Sequence, residues 1–389
     1  MTHDVVIGPQ TRSTYNIKEF VEEGHHVSTH IKSDDQAIIA ERPMYFNYKN
    51  SQGTQWKGGH IAMGLNSLQK EFYFAEGTTR RNDTDGIFDE WLTIQNPSDD
   101  IANVKIIYML GTGDNIEKEY QVIPHSRSTV NVPNDVGLQQ DVSTKIESDV
   151  PIAAERPMYF NYHGFAEEGH NVVGIPSPSK TWYFAEGSTQ AGFEEWITIQ
   201  NPNNEDAKLK FKYMTSTGEI IEKEKEVPKR SRHTVDVPLD AGKGKDISVE
   251  IASDVPVVCE RPMYFNYKGK WRGGSNVMGA TTLSDTFYIA EGATIENFDT
   301  YYTAANPSGD RVDITIKYMF GDGETEEKMY TLEAHSRLTI NVNSEIGGGK
   351  DVSSEITTSD GSKIMVERPM YFDYHGMSGG HVVNAYGVN

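Results

Sequence analysis

A chain of 389 residues carries Lys+Arg 36 against Asp+Glu 57, a net charge of −21. That balance repels a polyanion and excludes a nucleic-acid binder built on clustered Lys and Arg. With 37% hydrophobic and 10% aromatic residues the chain can bury a large core, while a mean hydropathy of −0.57 and no long apolar run exclude a helical membrane span.

The N-terminus, MTHDVVIGPQTRS, has neither a basic nor an apolar leader segment, so an extracellular setting implies a mature or trimmed form. Arg12 follows within T-R-S-T, and the string ERPMYF begins at Glu41 and Arg42. A loop then carries Trp56 and His60 beside paired glycines. Next come F-A-E-G at Glu76, an acid-rich loop with Asp83, Asp85 and Asp89, and a strand-like run from Phe88 to the Asn-Pro at Pro97. S-R-x-T recurs at Arg127, ERPMYF at Glu155 and Arg156, and a loop histidine at His170.

The order then repeats twice more. A-E-G lies at Glu186 and Glu291, F-[DE] to Asn-Pro at Phe193 to Pro202 and Phe298 to Pro307, and S-R-x-T at Arg232 and Arg337. ERPMYF returns at Glu260 and Arg261 and at Glu367 and Arg368, with Trp271 and His381 in the loops behind. Its four starts are 114, 105 and 107 residues apart. Such periodicity marks a repeat architecture. The boundaries fall at 1–70 for an N-terminal half-repeat and at 71–180, 181–285 and 286–389 for three full repeats.

Alternation identifies strands. Trp196 to Gln200 and Lys208 to Tyr213 place apolar and polar groups on opposite faces at period two. Asn-Pro, Gly-Asp-Gly and Ser-Asp-Val-Pro punctuate them as turns. No segment keeps a helical apolar stripe over three turns, so the class is all-β. Pro43, Pro157, Pro262 and Pro369 interrupt strand-like runs, which predicts an edge position for each ERPMYF strand. The short, small-residue strand behind each suits a crowded position. The half-units alternate B-A-B-A-B-A-B, seven of about four strands each, which favours a seven-bladed β-propeller. The alternative is a row of immunoglobulin-like sandwiches of about 105 residues each.

The strings W-Y-F-A-E-G-S-T, F-E-E-W-I-T-I-Q-N-P, S-R-H-T-V-D-V and E-R-P-M-Y-F resemble a bacterial repeat family of unknown function, found in secreted and cell-envelope proteins. The resemblance implies an extracellular or surface setting, a non-catalytic role and no catalytic residues to carry over.

An enzyme needs one asymmetric constellation, whereas Glu41, Arg42, Glu76, Arg127 and their counterparts recur three or four times. Recurrent Arg–carboxylate bridges that hold the units together are the expectation. Asp83, Asp85 and Asp89 could offer oxygens to Ca²⁺, with a solvated turn favoured instead, and no other cofactor is expected. Trp56, His60, His170, Trp271 and His381 are candidate glycan contacts if their rings are exposed, with a covering role favoured. Cys259 has no partner for a disulfide and reads as a small buried apolar residue. The expected function is a structural or adhesive surface protein with protein, glycan or self-assembly partners. The alternatives are a carbohydrate-binding module and an extracellular glycan hydrolase.

Overall fold

The computed structural model describes residues 1–388 except 23, 35, 51, 52, 83 and 85. After a single 3-10 turn (Ile17–Glu19), a hairpin of β1 (Glu41–Lys49) and β2 (Gln55–Met63) ends the N-terminal half-repeat. The first full repeat follows as β3 (Gln69–Phe74), β4 (Arg81–Asn82), β5 (Gly86–Asn96), β6 (Ala102–Leu110), β7 (Asn115–Val122), β8 (Ser126–Asn131), the short helix α1 (Val132–Val136), β9 (Val142–Tyr162) and β10 (Ala166–Val173). The second contains β11 (Ser179–Phe184), β12 (Phe193–Asn201), β13 (Ala207–Thr215), β14 (Ile220–Val227), β15 (Ser231–Asp236), α2 (Val237–Ala241), β16 (Ile247–Tyr267) and β17 (Trp271–Met278). The third contains β18 (Thr286–Ile289), β19 (Phe298–Asn306), β20 (Val312–Phe320), β21 (Thr325–Leu332), β22 (Ser336–Asn341), α3 (Val342–Ile346), β23 (Val352–Thr358), β24 (Met365–Tyr374), β25 (Met377–Asn384) and β26 (Tyr386–Val388).

The all-β class holds, and strand pairing defines how each repeat is built. In the first repeat, β6 and β3 pair with the first part of β9 and β7 pairs with β6, while β8, β5 and β10 form a second sheet with its last part. Both sheets therefore draw strands from both half-units, so the half-units are not separate four-stranded blades. Each repeat is a sandwich stitched by one long strand, which breaks into β23 and β24 in the third repeat. The sandwich cores are Phe72, Leu92, Ile106 and Ile146 in the first, Trp182, Ile197, Phe211 and Ile251 in the second, and Phe287, Tyr302, Ile316 and Ile356 in the third. Cys259 is buried in the second of these.

Period-two alternation explains the faces: β13 reads buried and exposed by turns from Ala207 to Phe211. The outer strands β7, β14 and β21 are rich in alternating Glu and Lys, charges that discourage edge-to-edge pairing.

The edge position expected for the ERPMYF prolines is corrected. Pro157 lies inside β9, between β5 and β10. The β5–β9 ladder pauses opposite Pro157 and Arg156 and resumes in unchanged register, so the missing N–H costs a bond without a slip. The same pause occurs opposite Pro262 and Pro369. In β1 alone the strand has one pairing partner, β2, among the described residues.

The recurrent Asn-Pro is a staple. The buried Asn201 donates from Nδ2 to the carbonyls of Glu205 at 2.9 Å and Val227 at 3.0 Å, and its Oδ1 accepts from the Asn203 amide at 3.1 Å. Asn96 and Asn306 repeat the pattern. Asn201→Ala leaves these buried backbone groups unpaired and should cost about 2–4 kcal/mol, read as a lower urea midpoint at unchanged slope.

Candidate functional site, a charge ring around a four-strand hub

The repeated charged residues meet between repeats. Arg156 of β9 makes a two-pronged bridge to Glu260 of β16, at 3.2 and 3.0 Å. Arg261 of β16 reaches Glu367 of β24 at 2.9 Å, and Arg368 of β24 reaches Glu41 of β1 at 3.0 Å. Arg42 of β1 closes the cycle on Glu155 of β9, at 3.2 and 3.0 Å. Four bridges thus join four units head to tail, and the N-terminal hairpin is locked to the last repeat. The chain is a closed ring of three sandwiches and one hairpin.

Three of the four bridges also grip an A-E-G segment. Glu260 accepts from the amides of Ala75 and Glu76, at 2.7 and 3.2 Å, while Arg156 donates to the Glu76 carbonyl. Glu41 treats Ala290 and Glu291 the same way, and Glu367 accepts from the Glu186 amide. The A-E-G carboxylates then take the S-R-x-T arginines of the next unit: Glu76 with Arg232 at 2.7 Å, Glu186 with Arg337 at 2.8 Å, and Glu291 with Arg12 at 2.5 Å. Burial pushes the carboxyls of Glu76 and Glu186 upward, against the pull of their arginines.

Arg127 differs. It is half-buried and makes no side-chain hydrogen bond or ion pair among the described residues. The charge facing it is Glu155, already bridged to Arg42. The Arg42–Glu155 bridge is also the open one, with the two side chains 44% and 28% exposed where Arg156–Glu260 is sealed.

Inside the ring, β2, β10, β17 and β25 pack in that cyclic order and form a hub. Their aligned sequences are Gly58-Gly59-His60, Glu168-Gly169-His170, Gly273-Gly274-Ser275 and Gly379-Gly380-His381. Glu168 stands where the other three strands have glycine. Its carboxyl accepts from the amides of Gly274 at 2.8 Å and Gly380 at 3.0 Å, and also from Gly59. A Cβ on Gly273 or Gly379 would fall 1.8 Å from the Glu168 oxygens, so only glycine admits the plug. Burial drives this carboxyl well above its ordinary range, with the three amides opposing the shift.

The tyrosine and phenylalanine of ERPMYF build the next shell. Tyr45 meets Phe372 edge-on at 5.2 Å, Tyr159 meets Phe46 at 5.0 Å, Tyr264 meets Phe160 at 5.2 Å, and Tyr371 meets Phe265 at 5.1 Å. Each pair crosses from one unit to the one before it, a favourable edge-to-face geometry used four times. The second glycine of each pair lies against this contact.

The aromatic and histidine candidates for ligand contact are buried, in keeping with the covering role that the sequence favours. Trp56 and Trp271 are 0% and 5% exposed and stack on Tyr48 and Tyr267. His60, His170 and His381 are buried at the hub, their pKa values lowered by loss of water, that of His60 to about 3. None of these rings presents a face to solvent, because the hub needs them as packing. Asp83 and Asp85 lie outside the described residues, while Asp89 bonds Arg81 at 2.9 Å rather than standing free for a cation. Among the described residues no cluster of His, Cys, Asp or Glu has a metal-holding arrangement.

Sequence reasoning missed Glu90 and Glu195, fully buried next to the A-E-G turns and pushed up to about 8 by burial. Their position holds Thr300 in the third repeat, whose hydroxyl donates to the Ala293 carbonyl at 2.6 Å. It also missed Glu168, although a charge at a position otherwise glycine was the available signal. A cavity of about 370 Å³ opens where the hub strands end, lined by Val172, Val277, Val383, Asn171 and Asn276 among others.

The family of unknown function DUF5719 has a model that matches residues 69–343. The chain belongs to that family. The DUF5719 match runs from β3 to α3, leaving the N-terminal hairpin and the last hub strand outside it. No curated protein matches the chain. Among solved structures the chain is similar to Thermotoga maritima 1070, at 17% identity over 28% of this chain and 96% of that one, TM-score 0.25. The Anabaena sensory rhodopsin transducer is similar at 20% identity over 23% and 97%, TM-score 0.20. A tetra-tandem repeat from the extending region of a large adhesion protein is similar at 8% identity over 90% and 83%, TM-score 0.13.

Two outcomes test this geometry. Glu168→Ala strands three hub amides and should cost about 3 kcal/mol or more in chemical denaturation, at roughly 1–3 kcal/mol for each lost acceptor. The second concerns pH. Glu90 and Glu195 ionise near 4.5 when unfolded but hold their protons to about 8 when folded. Between those values the folded chain binds more protons, so stability falls as pH rises. The buried histidines act oppositely, because the unfolded chain takes up their protons below about 6.5. From pH 7 upward the carboxyl effect stands alone. The melting temperature should therefore fall between pH 7 and 8.5, and the double variant Glu90→Gln, Glu195→Gln should flatten that fall.

Proposed function

We propose that this protein is a non-catalytic structural or adhesive module of the cell surface or extracellular space. The observation that supports it is the use of the repeated charged motif. Thirteen of the fourteen motif residues expected to form recurrent bridges are bonded between units, and Arg127 is the exception. A catalytic carboxyl pair needs access to substrate. Here the acid neighbours Glu76 and Glu90, and Glu186 and Glu195, are buried behind arginines. A rigid closed ring whose outer sheet edges are charged suits a load-bearing or display role, with self-assembly or a surface protein as partner.

Negative-stain electron microscopy of the purified chain is the test. Ordered particles or filaments larger than one chain support the module as a building block. Single rings at every concentration, with no binding to cell envelopes, sink the reading. A carbohydrate-binding module is the second reading, supported by the hub cavity with its Asn171 and Asn276 amides beside apolar walls. A glycan array that stays silent across cell-wall and extracellular sugars removes it.

A further inference from the structure

The N-terminal half-repeat aligns with the B half of each sandwich. T-R-S-T-Y-N-I-K-E-F parallels S-R-S-T-V-N-V-P-N-D, and Val27-Ser-Thr-His-Ile31 parallels Val142-Ser-Thr-Lys-Ile146. Even the turn after it is shared, with Asn16 capping Ile17–Glu19 as Asn131 caps α1. What the half-repeat lacks among the described residues is everything an A half supplies.

Three independent features register that lack. First, Val27, Ile31 and Ile38 are 42%, 58% and 40% exposed, whereas Val142, Ile146 and Ile152 are 0% exposed in the first sandwich core. Half of a sandwich core faces solvent. Second, among the described residues β1 pairs only with β2, while its counterparts β9, β16 and β24 are each paired on the other side by β5, β12 and β19. A nine-residue strand therefore offers a free row of backbone groups. Third, Arg12, Arg232 and Arg337 each hold an A-E-G glutamate, and Arg127 at the same position holds none.

We propose that the N-terminal half-repeat is an acceptor site for an A-type half-repeat. The occupant adds an F-[DE]…N-P strand to β1, buries Val27, Ile31 and Ile38, and places an A-E-G glutamate on Arg127. The chemistry is fixed by three filled copies of the same slot in the same molecule: an extended, β-branched strand for the edge and one carboxylate for one arginine. Completion also seals the exposed Arg42–Glu155 bridge, the one open link in the ring. This interaction surface goes beyond the scaffold reading and does not depend on it, since a chain that never assembles still carries the slot.

The experiment mixes the full chain with a polypeptide of residues 178–228, the A half of the second repeat, and follows binding and hydrogen exchange. The expected result is a one-to-one complex that protects residues 27–38 and Glu41–Lys49. Glu186→Gln in the polypeptide, or Arg127→Met in the chain, should weaken binding by about tenfold or more, as loss of one member of a desolvated charge pair does. The two variants guard each other: if Arg127→Met misfolds, Glu186→Gln on the added polypeptide still reads the same bridge. No complex at roughly 100 μM polypeptide with a folded chain overturns the proposal. So does binding that protects other residues or ignores both substitutions. A chain that dimerises alone, with protection over the same residues, overturns the choice of occupant in favour of a second copy.

Discussion

Everything in this molecule hangs on the bridge between the arginine of one ERPMYF strand and the glutamate of the next. Three of the four bridges are desolvated, and a buried ion pair is weak evidence for stability, since the cost of removing water offsets much of the attraction. Its value here is register. Arg156 can satisfy its guanidinium only by meeting both the Glu260 carboxylate and the Glu76 carbonyl. That requirement fixes the second sandwich against the first in one orientation. Slippage would leave a bare charge in a dry interface, a penalty of several kcal/mol. Three successive bridges link each unit to the next, and the fourth, from Arg42, returns to Glu155 of the first repeat. Closure is thus a consequence of one local rule applied four times.

The hub draws on the ERPMYF hairpins, four of them, and on none of the three A-E-G turns. A sandwich needs both halves for its core, but the centre of the ring needs only a hairpin, with its glycine pair, its tyrosine and its phenylalanine. β1 and β2 supply that minimum. The hub also shows how a near-symmetric centre is resolved by one asymmetric residue. Four glycines on the axis would leave a hole lined by unpaired amides, and Glu168 fills it from one strand alone. A second glutamate at Gly273 or Gly379 would collide with the first. The symmetry therefore has to be broken, and broken once.

Much of this was legible in the sequence. Period-two patterns at Trp196 to Gln200 identified strands, and the recurrent Glu41, Arg42 and their counterparts meet one another in ion pairs. The small residues behind ERPMYF read rightly as crowding. Less legible was pairing between halves, because β9 and β16 each run 21 residues through two sheets, and the Ser-Asp-x-Pro that bends them looks like a turn. Proline at 157 misled for a related reason. The edge rule assumes an unbroken ladder, whereas β5 simply skips a bond opposite it. The tryptophans left two readings open because glycine neighbours suggest an open loop. Here those glycines exist to let strands meet, and Trp56 and Trp271 close the crowded end.

The same reasoning separates the residues that hold the ring from those available to do something else. A repeated residue that is buried and bonded in every copy has its interactions fixed by the fold, and altering it changes stability before anything else. Arg127 is repeated, partly buried and, among the described residues, unbonded, beside the Arg42–Glu155 pair whose bridge is half open to water. Its three counterparts define what it is shaped to hold, so the departure from the pattern is itself the informative observation. Glu168 departs from its pattern too, but its oxygens are all accounted for by hub amides. A unique residue is a functional lead only when its bonding capacity is left over, and by that criterion the lead lies in the face around Arg127, Val27 and Ile31.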